Sequence, residues 1–281
     1  MEIMSPLPEH NDIREKFLKL QGILKSLGSA VVAYSGGVDS TFLLKAASDA
    51  LPGKVLAVVA DSATMPAHDR SDALAVIERL GVRSMVVEGR ELHNPAFVRN
   101  DRRRCYWCKH ELFLLLQEIA LNEGLRHVIE GSNADDTADY RPGLHAAREL
   151  GIISPLMEAG LGKSEIRFLS QELGLPTWDK PASACLSSRI PYGTAIDEAA
   201  LGRIDRAEGL LRRLGFAQVR VRHHGDLARI EVPEADIGRL LDPAVRREAS
   251  RGLRQAGYAF TAVDLDGYAT GSMNRALGDE T

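Results

Sequence analysis

The sequence is poor in cysteine, has no surplus of basic residues and contains no long apolar run. Three cysteines among 281 residues are an odd and small number, which argues against a disulfide framework. The longest apolar runs, such as residues 55–60, are far too short to cross a bilayer. The first ten residues lack the cationic start and apolar stretch of a secretory signal. We therefore expect a cytoplasmic protein that does not act at membranes.

The charge balance is slightly acidic. The chain has 35 Lys and Arg residues against 39 Asp and Glu residues, a net charge of −4. Proteins that bind nucleic acids gain much of their affinity by neutralising phosphates with basic side chains. The arginines at residues 102–104 and Lys109 form a candidate basic patch, which a solvated helix start explains equally well. We expect a small-molecule partner and no nucleic acid.

The patterning predicts one large domain followed by a smaller one. In the first part of the chain, helical periodicity alternates with short apolar runs rich in β-branched residues. The predicted strands are residues 30–34, 55–60, 83–87 and 127–130, and the predicted helices are residues 12–28, 40–50, 68–80, 106–123 and 163–174. Near-continuous apolar strands are typical of a parallel sheet covered on both faces by helices. Such α/β sheets bind ligands in the loops at the carboxyl ends of the strands.

A break at residues 191–193 divides the chain into predicted domains of residues 1–193 and 194–281. The second domain has a different pattern, with shorter elements and an alternating segment. The predicted helices there are residues 197–214, 234–241 and 243–256, and the predicted strands are residues 219–224, 228–232 and 259–265. This order indicates a small α+β domain with an antiparallel or mixed sheet. We expect the polar residues from Tyr268 onward to be loosely ordered.

The first predicted strand leads into a helix through the loop Ser35-Gly36-Gly37-Val38-Asp39-Ser40. Adjacent glycines let backbone N–H groups turn toward an anion, and the helix adds its positive N-terminal end. The two serines add hydroxyl donors. A carboxylate repels phosphates, so Asp39 predicts Mg²⁺ between them. The loop has neither of the two commoner phosphate-loop spacings, and an ordinary strand-to-helix turn is the plain alternative.

This loop resembles the PP-loop of the N-type ATP pyrophosphatases, which share the adenine nucleotide α-hydrolase fold. The resemblance covers roughly residues 28–190 and includes the segments after the second and fourth strands. It implies an α/β parallel-sheet domain that cleaves ATP between its α and β phosphates and uses Mg²⁺. The further nucleotide-binding residues that it implies are Asp61, Gly131, Asn133 and Asp135.

The cysteines have an informative spacing. Cys105 and Cys108 form a C-x-x-C pair at the start of a predicted helix, and Cys185 lies in a later loop. A C-x-x-C pair can bind zinc, undergo redox chemistry or bind an iron–sulfur cluster. Zinc would need a fourth ligand, such as His110. A 4Fe-4S cluster on three thiolates would leave one iron open to a sulfide, and three unrelated thiols are the remaining alternative.

Residues 181–193 resemble the cysteine segment of the LarE family of sulfur transferases, and the similarity covers nearly the whole chain. It implies adenylation of the carboxylates of pyridinium-3,5-biscarboxylic acid mononucleotide and their conversion to thiocarboxylates. Some members have a single cysteine and sacrifice its sulfur; the C-x-x-C pair here favours a cluster-bearing variant, with Cys185, Cys105 and Cys108 as the catalytic residues. The resemblance also implies a homo-oligomer, a trimer or hexamer, and hand-over of the product to a nickel-inserting enzyme.

The implied substrate-binding residues are Arg189, Arg220, Arg222, Glu231 and Trp107. Arg220 and Arg222 alternate with valines, so their side chains share one strand face and fit a phosphate. A solvated cationic face explains the same alternation. Trp107 can stack on a substrate ring, although packing is the commoner role of a tryptophan at a helix start.

Three rival functions fit parts of the sequence. A PP-loop tRNA thiolase shares the activation and sulfur chemistry, but the acidic composition argues against it. An amide-forming ligase of the same fold would use ammonia and would not need three thiols. A nucleotide-sensing module would leave the cysteines unexplained.

Overall fold

The computed structural model describes residues 10–138, 142–181, 183–269 and 273, and the expectation for the residues after Tyr268 lies almost wholly outside this range. The chain packs as two compact units. The first consists of Met1–Asp61, Asp69–Glu91 and Cys105–Ser183, and the second of Ser62–His68, Leu92–Arg104 and Ala184–Thr281. The last stretch of the first unit ends at Ser183, ten residues before the predicted boundary. The second unit also includes two segments from earlier in the chain, Ser62–His68 and Leu92–Arg104. The domain bounds of 1–193 and 194–281 stay a prediction.

The secondary structure alternates as expected. The strands are β1 (Ala30–Ala33), β2 (Val55–Asp61), β3 (Ser84–Glu88), β4 (His127–Ile129), β5 (Arg220–His224), β6 (Leu227–Glu231) and β7 (Phe260–Val263). The helices are α1 (His10–Leu27), α2 (Val38–Ala50), α3 (Ala67–Leu80), α4 (Pro95–Val98), α5 (Arg104–Asn122), α6 (Pro142–Glu149), α7 (Pro155–Ala159), α8 (Lys163–Glu172), α9 (Glu198–Arg213), α10 (Glu234–Leu241) and α11 (Pro243–Gln255). Among these helices, none is both long and apolar enough to cross a membrane.

The first unit contains a four-stranded parallel sheet in the order β3-β2-β1-β4. All four residues of β1 are buried, which explains its unbroken apolar sequence. One face of the sheet packs with α5 around Phe113 and Leu116. Ile153 extends the sheet beyond β4 through a single parallel bridge to Ile129. The predicted α/β parallel-sheet fold is confirmed.

The second unit contains a mixed three-stranded sheet in the order β5-β6-β7. β5 and β6 form an antiparallel hairpin, whereas β6 and β7 are parallel. Val219 and Val221 lie in a core with Leu211, Phe216 and Leu253. The predicted small α+β unit with a mixed sheet is therefore confirmed.

Candidate active site

The loop between β1 and α2 is shaped by its first glycine. Gly36 has a φ of +71°, and a Cβ there would lie 2.7 Å from the Cβ of Ala73. A side chain at this position is therefore both strained and obstructed. Gly37 precedes the first turn of α2 and has no side chain to cap it. The N-terminal amides of α2 are thus available to an anion.

Hydroxyl groups form hydrogen bonds within this loop. The Oγ atoms of Ser35 and Ser40 lie 3.0 Å apart, and the Ser40 hydroxyl donates to the Gly37 carbonyl over 3.3 Å. Below them, the Tyr34 hydroxyl and Thr41 Oγ1 are 3.1 Å apart, and burial raises the pKa of Tyr34. These contacts fix the conformation of residues 34–41.

Asp39 forms a short ion pair with a lysine that the sequence analysis missed. Lys163 Nζ lies 2.6 Å from Asp39 Oδ2, and the Lys163 backbone N–H donates to Asp135 over 2.7 Å. Burial raises the pKa of Asp39, and the hydrogen bond from Lys163 opposes this shift. Asp39 Oδ1 is buried and has no hydrogen-bond partner in the described part of the chain. A buried carboxylate oxygen of this kind suits an Mg²⁺ ligand.

The segment after β4 lies directly against the phosphate loop. A Cβ at Gly131 would be 3.0 Å from the Ser40 backbone nitrogen, so glycine permits this close approach. Asn133 is buried, and its side chain accepts from the Asp135 N–H over 3.0 Å. The structure thus brings Gly131 and Asp135 to the loop, and Asn133 stabilises the turn that carries them. Glu130 accepts from the Ser132 N–H over 3.1 Å and so also shapes this segment, a role that the sequence did not predict.

Asp61 ends β2 and forms an ion pair with Arg70, with 2.7 Å between Arg70 Nη2 and Asp61 Oδ2. Its side chain is 45% exposed. Its predicted nucleotide contact stays a prediction.

The C-x-x-C pair lies in the first two turns of α5. Cys105 is exposed and Cys108 is half-buried. The rings of Tyr106 and Trp107 meet edge to face with centroids 4.9 Å apart, and Trp107 packs against the core of the first unit. All three cysteines are within the described residues and none forms a disulfide. The described residues contain no group of three or more His, Cys, Asp or Glu side chains arranged to hold a metal ion.

Cys185 is exposed and opens a 3₁₀ turn, Leu186–Arg189, in the second unit. The Leu186 N–H donates to the Thr64 carbonyl over 2.7 Å, which fixes the start of this turn. Arg189 is fully buried and donates from Nε to Glu208 over 2.8 Å. The structure thus places the predicted substrate contact Arg189 in the interior.

Glu208 was missed by the sequence analysis because α9 resembles an ordinary charged surface helix. It is fully buried and also accepts from the Val221 N–H over 3.0 Å. Burial alone would raise the pKa of Glu208, but the bonds from Arg189 and from Val221 outweigh it and the net shift is downward. Glu208 is thus an ionised carboxylate inside the second unit.

Arg220 and Arg222 lie on the face of β5 opposite Val221, as predicted. Arg222 donates to Glu231 Oε2 over 2.6 Å and to the Ser188 carbonyl over 3.1 Å. The Arg220 guanidinium lies 5.4 Å from the Tyr268 ring centre, and burial lowers its pKa. Both arginines are buried, so the solvated cationic face is wrong.

Comparison with known proteins identifies the family. The NAD synthase family matches residues 13–97, the part that contains β1, β2 and the phosphate loop. The pyridinium-3,5-bisthiocarboxylic acid mononucleotide synthase of Lactiplantibacillus plantarum is 40% identical over 92% of this chain and 93% of its own length. The chain belongs to the LarE family. It is therefore an enzyme of the PP-loop ATP pyrophosphatase class, an ATP-dependent sulfurtransferase.

Two other relatives show how far the likeness extends. The Uncharacterized protein slr1717 of Synechocystis sp. is 43% identical over 94% of this chain and 99% of its own length. The NH(3)-dependent NAD(+) synthetase of Hyperthermus butylicus is 33% identical over 66% of this chain and 68% of its own length. The LarE-family likeness thus extends over almost the whole chain, whereas the synthetase matches about two thirds of it.

Proposed function

We propose that this LarE-family enzyme converts both carboxylates of pyridinium-3,5-biscarboxylic acid mononucleotide to thiocarboxylates in an ATP-dependent reaction. The observation that carries the proposal is the 40% identity, over 93% of its length, to the Lactiplantibacillus plantarum synthase whose name specifies the bisthiocarboxylic product. That product differs from the biscarboxylic acid by sulfur in place of oxygen, so the reaction must activate a carboxylate and deliver sulfur.

The activation step uses the phosphate loop. A carboxylate oxygen bonds to the α-phosphorus of ATP, the bond to the β-phosphate oxygen breaks, and pyrophosphate leaves. The backbone amides that follow Gly36 and Gly37 donate to the departing phosphates. The Lys163 ammonium group, which contacts Asp39 of the same loop, adds a positive charge beside them. Mg²⁺ bound by Asp39 would neutralise phosphate charge. Asp61, Gly131, Asn133 and Asp135 complete the proposed nucleotide site.

The sulfur step needs a thiolate or sulfide nucleophile. A sulfide sulfur bonds to the acyl carbon, and AMP leaves with the electron pair of the broken C–O bond. We propose that Cys105, Cys108 and Cys185 hold a 4Fe-4S cluster, a group that is bound by cysteine thiolates and would carry the sulfide on its fourth iron. The alternative is that the Cys185 thiolate displaces AMP and forms a thioester. Loss of the Cα proton then breaks the Cβ–S bond, which leaves the sulfur on the product and dehydroalanine in the chain.

The substrate phosphate would bind on the arginine face of β5. Arg220 and Arg222 supply guanidinium groups, and Glu231 orients Arg222 through a 2.6 Å bond. Trp107 remains the other proposed substrate contact, whereas Arg189 is buried and paired with Glu208. The support for these roles is the shared strand face and the family likeness.

We also propose a cytoplasmic homo-oligomer, a trimer or hexamer, that passes its product to a nickel-inserting enzyme. The family likeness supports this proposal. Light scattering after size exclusion tests the oligomeric state, and a monomer at micromolar concentration would contradict it.

The test is a reaction of the anaerobically purified and iron–sulfur-reconstituted chain with ATP, Mg²⁺, sulfide and the biscarboxylic nucleotide. We expect pyrophosphate release and a product in which mass spectrometry finds two oxygens replaced by sulfur. An amide product with ammonium ion, and no thiocarboxylate with sulfide, would instead indicate the ligase. Pyrophosphate release with tRNA but not with the nucleotide would indicate the thiolase.

A further inference from the structure

Arg189 is the largest fully buried side chain in the described part of the protein. Its guanidinium donates to a carboxylate on one side and to the Cys185 segment on the other. On one side, Nε and Nη2 donate to the two oxygens of Glu208 over 2.8 and 3.0 Å. On the other side, Nη1 donates to the carbonyls of Ala184 and Cys185 over 2.6 and 2.9 Å and to Ser188 Oγ over 2.9 Å. Protein groups therefore occupy the donors on Nε and Nη1 and one donor on Nη2.

Glu208 is itself held from two further directions. Its Oε1 accepts the Val221 N–H of β5 over 3.0 Å, and its Oε2 accepts from Arg212 over 3.0 Å. The carboxylate belongs to α9, which packs against β5 and the 3₁₀ turn. A continuous set of charge-assisted bonds thus runs from α9 and β5 to the backbone beside Cys185.

The bonds fix the backbone at Cys185 and leave its side chain exposed. The Cys185 carbonyl accepts from Arg189 and also from Ser188 Oγ over 2.8 Å. The next amide, that of Leu186, is bonded to Thr64. The preceding peptide group is held as well, because the Ala184 carbonyl accepts from Arg189 over 2.6 Å. Both peptide groups that flank the Cys185 Cα are therefore anchored, while the thiol is open to reactants. Anchoring the backbone fixes the Cα–Cβ bond from which the thiol extends, so the sulfur is confined to the few positions that rotation about χ1 allows.

We propose that Arg189 and Glu208 are positioning residues that set the orientation of Cys185, and that Arg189 does not contact substrate. The proposal rests on the proposed function in one respect, the assignment of Cys185 as a sulfur-handling residue. A buried guanidinium with its donors committed to Glu208 and two carbonyls has little left to offer a ligand.

The test variants are Arg189→Lys and Glu208→Gln. Lysine keeps a cation beside Glu208 so that the unit can fold, but one ammonium cannot reach the carboxylate and both carbonyls. Glutamine keeps the shape of Glu208 and removes its charge. The matched control is Arg239→Lys, because Arg239 also donates to two backbone carbonyls of the second unit, those of Leu214 and Gly215 just after α9.

Two readouts separate positioning from binding. We expect amide hydrogen exchange in residues 183–190 to accelerate about tenfold in both test variants and to stay unchanged in the control. We expect thiocarboxylate formation to fall about tenfold or more while pyrophosphate release and the KM for the nucleotide change by less than about twofold.

Three results would overturn the proposal. Unchanged exchange with a raised KM for the nucleotide would make Arg189 a direct substrate contact. Equal losses of pyrophosphate release and sulfur transfer would reduce the pair to general support of the fold. Unchanged exchange and unchanged transfer would remove any role. If the wild-type chain forms no thiocarboxylate, the proposed function fails, and exchange together with the rate of Cys185 alkylation in a Cys105→Ser, Cys108→Ser background still decides whether the pair orders the Cys185 segment.

Discussion

Lys163 Nζ lies 2.6 Å from Asp39 Oδ2, so the first residue of α8 reaches the phosphate loop from 124 positions along the chain. The backbone N–H of the same lysine donates to the Asp135 carboxylate. One residue therefore links the loop after β1 with the segment after β4, where ligands of parallel sheets bind. We infer that the ammonium group exchanges its carboxylate partner for a nucleotide phosphate.

Replacement of Lys163 by alanine should raise the KM for ATP about tenfold or more, because a charged hydrogen bond of about 1.5–3 kcal/mol is lost. The measurement is pyrophosphate release against ATP concentration. Lys45 provides the control, since Lys45 Nζ also lies 2.6 Å from an aspartate, Asp49, on the exposed side of α2. Lys45→Ala should leave the KM for ATP unchanged, and an equal rise in both variants would contradict this role of Lys163.

Replacement of Gly36 by alanine should destabilise the chain more than the same change at Gly53. The φ angle is +71° at Gly36 and +72° at Gly53. An alanine at either position therefore has the same cost of about 1–2 kcal/mol for a left-handed backbone. A Cβ at Gly36 also meets Ala73, whereas a Cβ at Gly53 has nothing within 4 Å. Crowding should add about 1–3 kcal/mol in urea denaturation. Equal losses would show that the loop yields to the added methyl group.

Replacement of Arg220 by glutamine should raise the KM for the nucleotide substrate about tenfold or more, because a charged phosphate contact is lost. The KM for ATP should stay unchanged, since the proposed contacts to ATP come from the phosphate loop and the segments after β2 and β4 and do not include Arg220. Steady-state pyrophosphate release with each substrate varied in turn measures both values. A rise in the KM for ATP alone would contradict the assignment.

The second unit should lose stability in mild acid through His223. Its Nδ1 lies 3.1 Å from the Tyr258 hydroxyl, and burial lowers the pKa of His223 below 6.5. As the pH falls through 6.5, the unfolded chain takes up a proton that the folded chain resists, so the free energy of unfolding decreases. Urea denaturation at about pH 7 and about pH 5 should show a smaller decrease for His223→Gln than for the wild type. Identical decreases would contradict this linkage.

The strands of the fold followed from the sequence because each is a short run rich in apolar or alternating residues, although β3 and β7 contain no buried residue. β1 is buried at every residue, and Val221 and Arg222 alternate between the core and the opposite face. The short helices α4, α6 and α7 were missed because four to eight residues form about two turns at most, too few for a clear helical periodicity.

The site was only partly predictable because its key contacts join distant residues. The glycines of the phosphate loop have a local signature, but the partner of Asp39 lies on another helix. The family resemblance implied Arg189 as a substrate ligand, and only the fold shows that it pairs with Glu208 in the interior. Burial of a charge depends on its partner, which sequence position alone does not disclose.

The central claim is that the loop of residues 35–40 binds the phosphates of ATP. A crystal structure with an ATP analogue that cannot be cleaved between the α and β phosphates tests it most directly. We predict phosphate oxygens within hydrogen-bond distance of the backbone amides that follow Gly36 and Gly37, with Lys163 turned from Asp39 toward them. Nucleotide bound elsewhere, with the Lys163–Asp39 pair intact and the loop empty, would contradict the account.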